Sequence, residues 1–247
     1  MSAPAQREPD LPGQTVVVIG GSAGIGLETA RRARAEGAEV ILTGRNPERL
    51  EHAASEVGAH STAAFDANDP EALRRFFESL RTPIDHVMVT AGGPRYGRML
   101  DMSAGDARQA ISEHVLLALA VARHVADTVR PGGSLLLMGG TGGRRIAVGL
   151  GIASAVTAAL PPLTASLALE LAPVRVNLIA PGFVDTPLSA RILGDELEAR
   201  REQLRTTLPI GRVVGPDDVA ALAVHLMTNT ALTGATYDID GGQQFVA

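Results

Sequence analysis

The stretch "TVVVIGGSAGIGLETARRARA" (residues 15–35) decides the fold. A β-branched run, apolar on both faces, leads straight into a glycine-rich turn and then into good helix formers. Gly20, Gly24 and Gly26 are spaced GxxxGxG, not the commoner GxGxxG. The physics of the two spacings is shared. Glycines allow a tight turn and let a pyrophosphate approach the backbone N–H groups at a helix N-terminus. A glycine turn that merely packs helix on strand is the competing reading. The order strand, glycines, helix favours a nucleotide loop, with Gly20, Ser22, Gly24, Ile25 and Gly26 as its candidate contacts.

Outward from this stretch the same alternation recurs. "EVILTG" (39–44), "STAAF" (61–65), "DHVMVTA" (85–91), "SLLLMG" (134–139), "VRVNLIA" (174–180) and "ATYDID" (235–240) read as further strands. Helical segments fall between them near 25–36, 47–57, 69–80, 103–130, 152–172 and 216–228. The pattern predicts an α/β fold, a Rossmann-type doubly wound parallel sheet of about seven strands with helices on both faces. Asp69-Pro70 and Gly215-Pro216 each open a helix with acid in its first turn. Neither repeat nor linker interrupts the pattern, which predicts a single domain over 13–247. The polar, proline-rich start, "MSAPAQREPDLP" (1–12), reads as a flexible tail.

Composition excludes several functions. A net charge of −5 offers no basic field to nucleic acid. With no cysteine, thiol catalysis, thiolate metal sites and disulfides are all ruled out. The six histidines (52, 60, 86, 114, 124, 225) have no ligand-like spacing, so no metal site is expected. No apolar run reaches the roughly 20 residues of a membrane span without prolines or breakers inside it. The first residues hold no apolar signal core, and a cytoplasmic location is expected. All 22 basic residues are arginine, and tyrosine occurs only at 96 and 237. Any step that needs a lysine is therefore excluded by counting.

The second strand ends in "LTGRN" (42–46). A carboxylate there would pair with the ribose 2′-hydroxyl of NAD and repel a 2′-phosphate. Gly44 leaves that slot empty, and Arg45 follows with a planar fork suited to phosphate. The reading favours NADP(H) over NAD(H); a solvated loop arginine is the alternative.

Together these segments resemble the short-chain dehydrogenase/reductase family, over nearly the whole chain. "GGSAGIG" (20–26) looks like its cofactor loop, with Ile19 where a threonine usually leads. In "FDAND" the resemblance sets Asp66, beside Ala67, against the adenine. "VTAGG" (89–93) looks like the family's NNAG segment, keeping Ala91 and Gly92 and losing both asparagines. "RVNLIAPGFVDTP" (175–187) is similar to the segment that closes over the nicotinamide, implying contacts from Pro181, Gly182, Val184 and Thr186. "GRVVGPDDVAALAVHL" and "YDIDGGQ" match the C-terminal portion. The resemblance further implies a homodimer or homotetramer and a small-molecule substrate or ligand, met by a lid over 187–208.

Family members reduce carbonyls with a serine, a tyrosine and a lysine, plus an asparagine on the preceding long helix. The resemblance sets Ile152 in the tyrosine position and Val156 in the lysine position. Gly139 or Gly140 takes the serine's place and His114 the asparagine's. Pro161 and Pro162 should bend or break the helix near Leu160, unless 152–160 is not helical at all. Two residues are candidates to handle a proton instead: His114, with its imidazole, and Tyr96, after the "AGG" turn. Each has a structural reading beside it, as a helix histidine and a loop aromatic. Arg144 and Arg145 could clamp an anion or simply be solvated; Thr141 and Ser154 have no evident base.

The functional expectation is an NADP(H)-dependent oxidoreductase with an unusual site, acting on an activated substrate such as an iminium or conjugated enone. A cofactor-binding pseudoenzyme or sensor, or a non-catalytic subunit of a hetero-oligomer, is the alternative.

Overall fold

A computed structural model of the chain describes residues 11–81 and 83–246. Among the described residues, seven strands form one parallel sheet: β1 (Thr15–Ile19), β2 (Glu39–Gly44), β3 (Ser61–Ala64), β4 (Ile84–Val89), β5 (Val129–Met138), β6 (Arg175–Pro181) and β7 (Thr236–Ile239). Their order across the sheet is β3-β2-β1-β4-β5-β6-β7. The helices are α1 (Gly24–Ala35), α2 (Pro47–Val57), α3 (Pro70–Ser79), α4 (Ala104–Ile111), α5 (Leu117–Thr128), α6 (Gly151–Glu170), α7 (Pro187–Leu193), α8 (Leu197–Thr207) and α9 (Pro216–Thr228). This is the Rossmann-type arrangement expected.

The alternation of side chains along each strand divides the core in two. Val17, Ile19, Val87, Leu135, Leu137 and Leu178 meet α3, α5 and α6 on one face. Val16, Val18, Val40, Leu42, Leu136 and Ile179 meet α1, α2 and α9 on the other. Burying each such side chain contributes roughly 1.5–3 kcal/mol, so both faces must stay covered. The caps work as their chemistry suggests. Asp69 Oδ1 accepts from the N–H groups of Glu71 and Ala72 at 2.9 and 3.1 Å, and Asn46 Oδ1 from that of Arg49 at 2.8 Å.

Four expectations need correction. Residues 1–10 of the expected tail lie outside the described residues, but Leu11 is fully buried in the core beside α1, so the tail does not extend to residue 12. The helix expected over 103–130 is α4 and α5 joined by a π-turn, Ser112–Leu116. The lid region contains α7 and α8, where no helix was read. Finally, α6 runs unbroken to Glu170 through Pro161 and Pro162, and 152–160 is helical. Each proline deletes a bond to the carbonyl four residues back. Burial on one side, by Leu160, Thr164, Leu167 and Ala168, holds the helix in place despite that loss.

Candidate functional site

Strand order reverses between β1 and β4, which opens a crevice at their C-terminal ends. Three glycines shape its floor for different reasons. Gly20 has φ +99°, and a Cβ there would lie 2.6 Å from the Ala91 nitrogen. A Cβ on Gly26 would lie 2.5 Å from the Gly20 carbonyl oxygen, so α1 packs directly on the turn. Gly24, at φ +55°, faces the opposite wall, its Cβ position 3.5 Å from Thr186. The Thr90 hydroxyl donates to the Gly20 carbonyl at 3.1 Å, and the Thr43 carbonyl accepts from the N–H groups of Gly20 and Gly21. Residues at the ends of the neighbouring strands thus hold the turn in place.

The N-terminus of α1 has no side-chain cap and no acid in its first turn. Free N–H donors with the helix dipole behind them suit a pyrophosphate, so these residues fit a dinucleotide. Ile25 is partly buried against the α1 core. Ser22 stands over the end of β2, where a Cβ on Gly44 would lie 3.1 Å from its Oγ. Arg45 is exposed and forms no ion pair among the described residues.

The remaining expected contacts line the same edge. Asp66 is exposed, its Oδ1 accepting from the Asn68 N–H at 3.0 Å. Ala67 and Val184 are buried in the core, which leaves a ligand only their backbone. Gly92, at φ +102°, lets the Ala91–Gly92 turn rest on the π-turn, where a Cβ would lie 2.7 Å from the Glu113 carbonyl oxygen. Pro181 closes β6, Gly182 presses on Gln243, and the Phe183 N–H donates to Gln243 Oε1 at 2.7 Å. Thr186 caps α7 in a reciprocal pair with Ser189.

On the other side of the crevice lie the positions paired with the family's proton machinery. Ile152 is partly buried and Val156 is buried, both early in α6. Gly139 faces the core, a Cβ there lying 3.2 Å from Leu178 and 3.3 Å from Leu160. Gly140 opens instead toward the Pro181 carbonyl and Thr157, at 3.5 and 3.7 Å. The crevice-side position is therefore Gly140. Ser154 does not serve the crevice, since its hydroxyl donates to the Arg145 carbonyl at 2.8 Å. Thr141 is buried.

His114 sits in the π-turn, partly buried, with Nδ1 3.0 Å from the Ala110 carbonyl oxygen. A carbonyl only accepts, so Nδ1 carries the proton and Nε2 stays available. Tyr96 is about half exposed, and desolvation pushes its phenol above the ordinary tyrosine value, the wrong direction for a proton donor. It lines a cavity of about 470 Å³ with Pro94, Arg95, Arg98 and Asp106. That loop is tied to the start of α6: the Gly97 N–H donates to the Gly149 carbonyl at 2.8 Å, and Met99 packs on Gly151. Arg144 is committed elsewhere, gripping Asp238 with both terminal nitrogens, one at 2.7 Å. The same bond holds the Asp238 carboxyl below its ordinary value.

The sequence model of the enoyl-(acyl carrier protein) reductase family matches residues 20–244. The chain belongs to the short-chain dehydrogenase/reductase family. The NADP-dependent (R)-specific alcohol dehydrogenase of Lentilactobacillus kefiri is 30% identical to this short-chain dehydrogenase/reductase over 94% of the chain and 97% of its own length. The structure of BdcA in complex with NADPH is 27% identical, with a TM-score of 0.84 over 94% of this chain and 95% of that one. The MalC reductase/Diels-Alderase of Malbranchea aurantiaca superposes with a TM-score of 0.89 over 97% of this chain and 100% of its own. At 24% identity that likeness concerns the fold alone.

Two features of this short-chain dehydrogenase/reductase escaped the reading of its sequence. Glu113 is the π-turn residue against Gly92, and its Oε1 accepts from Gln109 Nε2 at 2.7 Å and Arg95 Nη2 at 3.4 Å. Arg201 bonds Asp185 at 2.7 Å and docks α8 on the β6 loop. No sequence pattern announces that contact, because its partners lie on different elements.

Proposed function

We propose that the chain is an NADP(H)-dependent oxidoreductase acting on an already activated small molecule, such as an iminium or a conjugated enone. One contrast carries this reading. The nucleotide half of the crevice is built, whereas Gly140, Ile152 and Val156 offer no proton-bearing group. The uncapped α1 terminus would hold the pyrophosphate, Arg45 with Ser22 the 2′-phosphate, and the 181–186 segment the nicotinamide end. A bound nicotinamide supplies or takes up the hydride. What the chain adds is position, an apolar wall at Ile152, and at most one imidazole. Relatives named as NADP-dependent or solved with NADPH support the cofactor assignment.

Calorimetric titration with NADPH, followed by NADPH oxidation with 2-cyclohexenone and with 2-methyl-1-pyrroline, tests the reading. Saturable binding and measurable oxidation of either probe are expected. Absence of NADPH binding would overturn it.

Two variants refine it. Arg45→Ala should weaken NADPH about tenfold or more, the loss of one charge-assisted phosphate contact, and leave NADH nearly unchanged. Equal losses for both would show that Arg45 does not hold the phosphate. His114→Ala should lower turnover about tenfold or more if the free Nε2 relays a proton, with NADPH affinity intact. Unchanged turnover would reduce His114 to a helix residue bonded to Ala110.

A further inference from the structure

We infer that Gln243 is a positioning residue for the nicotinamide end of the crevice, its carboxamide setting the Gly182–Phe183 backbone where the 181–186 segment begins. The inference deepens the oxidoreductase reading and rests on it.

The need for such a residue arises at the end of the sheet. β6 and β7 pair in parallel as far as Pro181 and Ile239, and the Gly182 N–H still donates to the Ile239 carbonyl at 3.3 Å. Beyond Ile239 the chain turns away from β6, and the Phe183 N–H has no strand carbonyl to meet. A backbone donor left unpaired in a protein interior costs about as much as a lost hydrogen bond. Gln243 Oε1 takes the missing carbonyl's place at 2.7 Å, so a side chain carries the ladder one residue past the strand. The contact is close as well as polar. A Cβ on Gly182 would overlap Gln243 Oε1 and lie 2.7 Å from Asp240 Cβ.

Gln243 is itself held in place. It is only 6% exposed, and its N–H donates to the Asp240 carbonyl at 3.1 Å. The Asp240 carboxylate accepts from the N–H groups on either side, Gly242 at 2.8 Å and Gln244 at 2.9 Å. Gln244 Nε2 in turn donates at 3.1 Å to Asp238 Oδ2, part of the carboxylate that Arg144 grips from the β5 loop. The acceptor is thus preorganised, and it fixes the orientation of the Gly182–Phe183 peptide. The second half of the segment has its own supports, a bridge between Val184 and Val214 and a bond of 3.0 Å from the Asp185 N–H to the Val214 carbonyl. Gln243 therefore governs the first half.

Its influence is confined to one end of the cofactor. Arg45 follows β2, and β6 lies four places along the sheet from β2, roughly 19 Å away at the usual strand spacing. The adenine end should not sense a change at position 243.

The test uses NADPH and adenosine 2′,5′-bisphosphate, which keeps the adenine end of the cofactor and lacks the nicotinamide. Both are titrated by calorimetry into the wild type and two variants. Gln243→Met has similar length and no acceptor, whereas Gln243→Glu keeps an acceptor oxygen. Emission of bound NADPH is recorded in parallel, since it reports the surroundings of the nicotinamide. Gln243→Met should bind NADPH about tenfold more weakly, with emission moved toward that of free NADPH, and should bind the bisphosphate as the wild type does. It should also melt about 2–4 °C lower, the mark of one unpaired N–H. Gln243→Glu should recover most of both NADPH readouts.

Unchanged NADPH affinity and emission in Gln243→Met would overturn the inference. Equal losses for the two ligands would overturn it as well, because Gln243 would then serve the fold at large. So would a glutamate variant that binds the bisphosphate normally and recovers neither NADPH readout. In each of these cases the wild type still binds NADPH. A wild type that does not bind it sinks the oxidoreductase reading, and the inference with it.

Discussion

Purified protein given NADPH and an unactivated ketone such as cyclohexanone is expected to show no hydride transfer above background. Reduction of a ketone builds negative charge on oxygen, and a positioned proton donor accelerates such a step by about 10²–10⁴. At the crevice Gly140 has no side chain, and Ile152 and Val156 are hydrocarbon. The Tyr96 phenol is shifted away from donation, and no lysine exists anywhere to correct it. Ile152→Tyr with Val156→Lys should not restore the activity. Position 156 is 4% exposed, so a lysine there would place a charge in the core. Spectrophotometry at the NADPH absorbance reads the result directly. Robust reduction of cyclohexanone by the wild type would show that a donor has been misjudged, with His114 the first to re-examine.

Gly26→Ala should abolish NADPH binding within the measurable range and destabilise the fold by about 3 kcal/mol, as overpacking against fixed backbone does. The added methyl would lie 2.5 Å from the Gly20 carbonyl oxygen and 2.6 Å from Thr90 Oγ1. Neither can give way cheaply, because those two atoms are bonded to each other and Gly20 is also held by Thr43. Gly24→Ala is the control. It carries the strain of φ +55°, about 1 kcal/mol, but meets nothing closer than 3.5 Å. Melting curves and NADPH titration of both variants decide the matter. If Gly26→Ala binds NADPH as the wild type does, the close packing of α1 on its turn is not what shapes the cleft.

The parts of this fold written in the sequence are those set by local rules. Strands apolar on both faces, the glycine turn and the Asp69 cap each follow from neighbours a few residues apart. Segments governed by distant partners could not be read that way. Residues 197–207 have no clear apolar stripe. Their helix is supported by short-range charged pairs such as Arg201–Glu198 and Arg205–Glu202, and is held down by Arg201–Asp185. In α6, propensity argued for a break at the two prolines, and burial of Leu160 and Leu167 prevailed. The candidate site divides along the same line. Its nucleotide half was legible as a motif, whereas Glu113 against Gly92, and Arg144 held by Asp238, depend on contacts that only the folded chain makes.

The π-turn at Ser112–Leu116 has a consequence for how this chain tolerates length changes. A wide turn is how a helix absorbs one surplus residue without re-aiming everything after it. Tighten that turn without changing the length, and the run from Ala104 to Thr128 would close into one uninterrupted α-helix, locally the more regular structure. Every side chain beyond the turn would then swing by about 100° relative to α4. Leu117, Val121 and Val125, now facing the sheet, would be turned toward its margins. Local regularity and global fit point in opposite directions at this one place. A change that regularises the helix at full length would spoil the protein, whereas deleting the surplus residue would leave α5 facing the sheet.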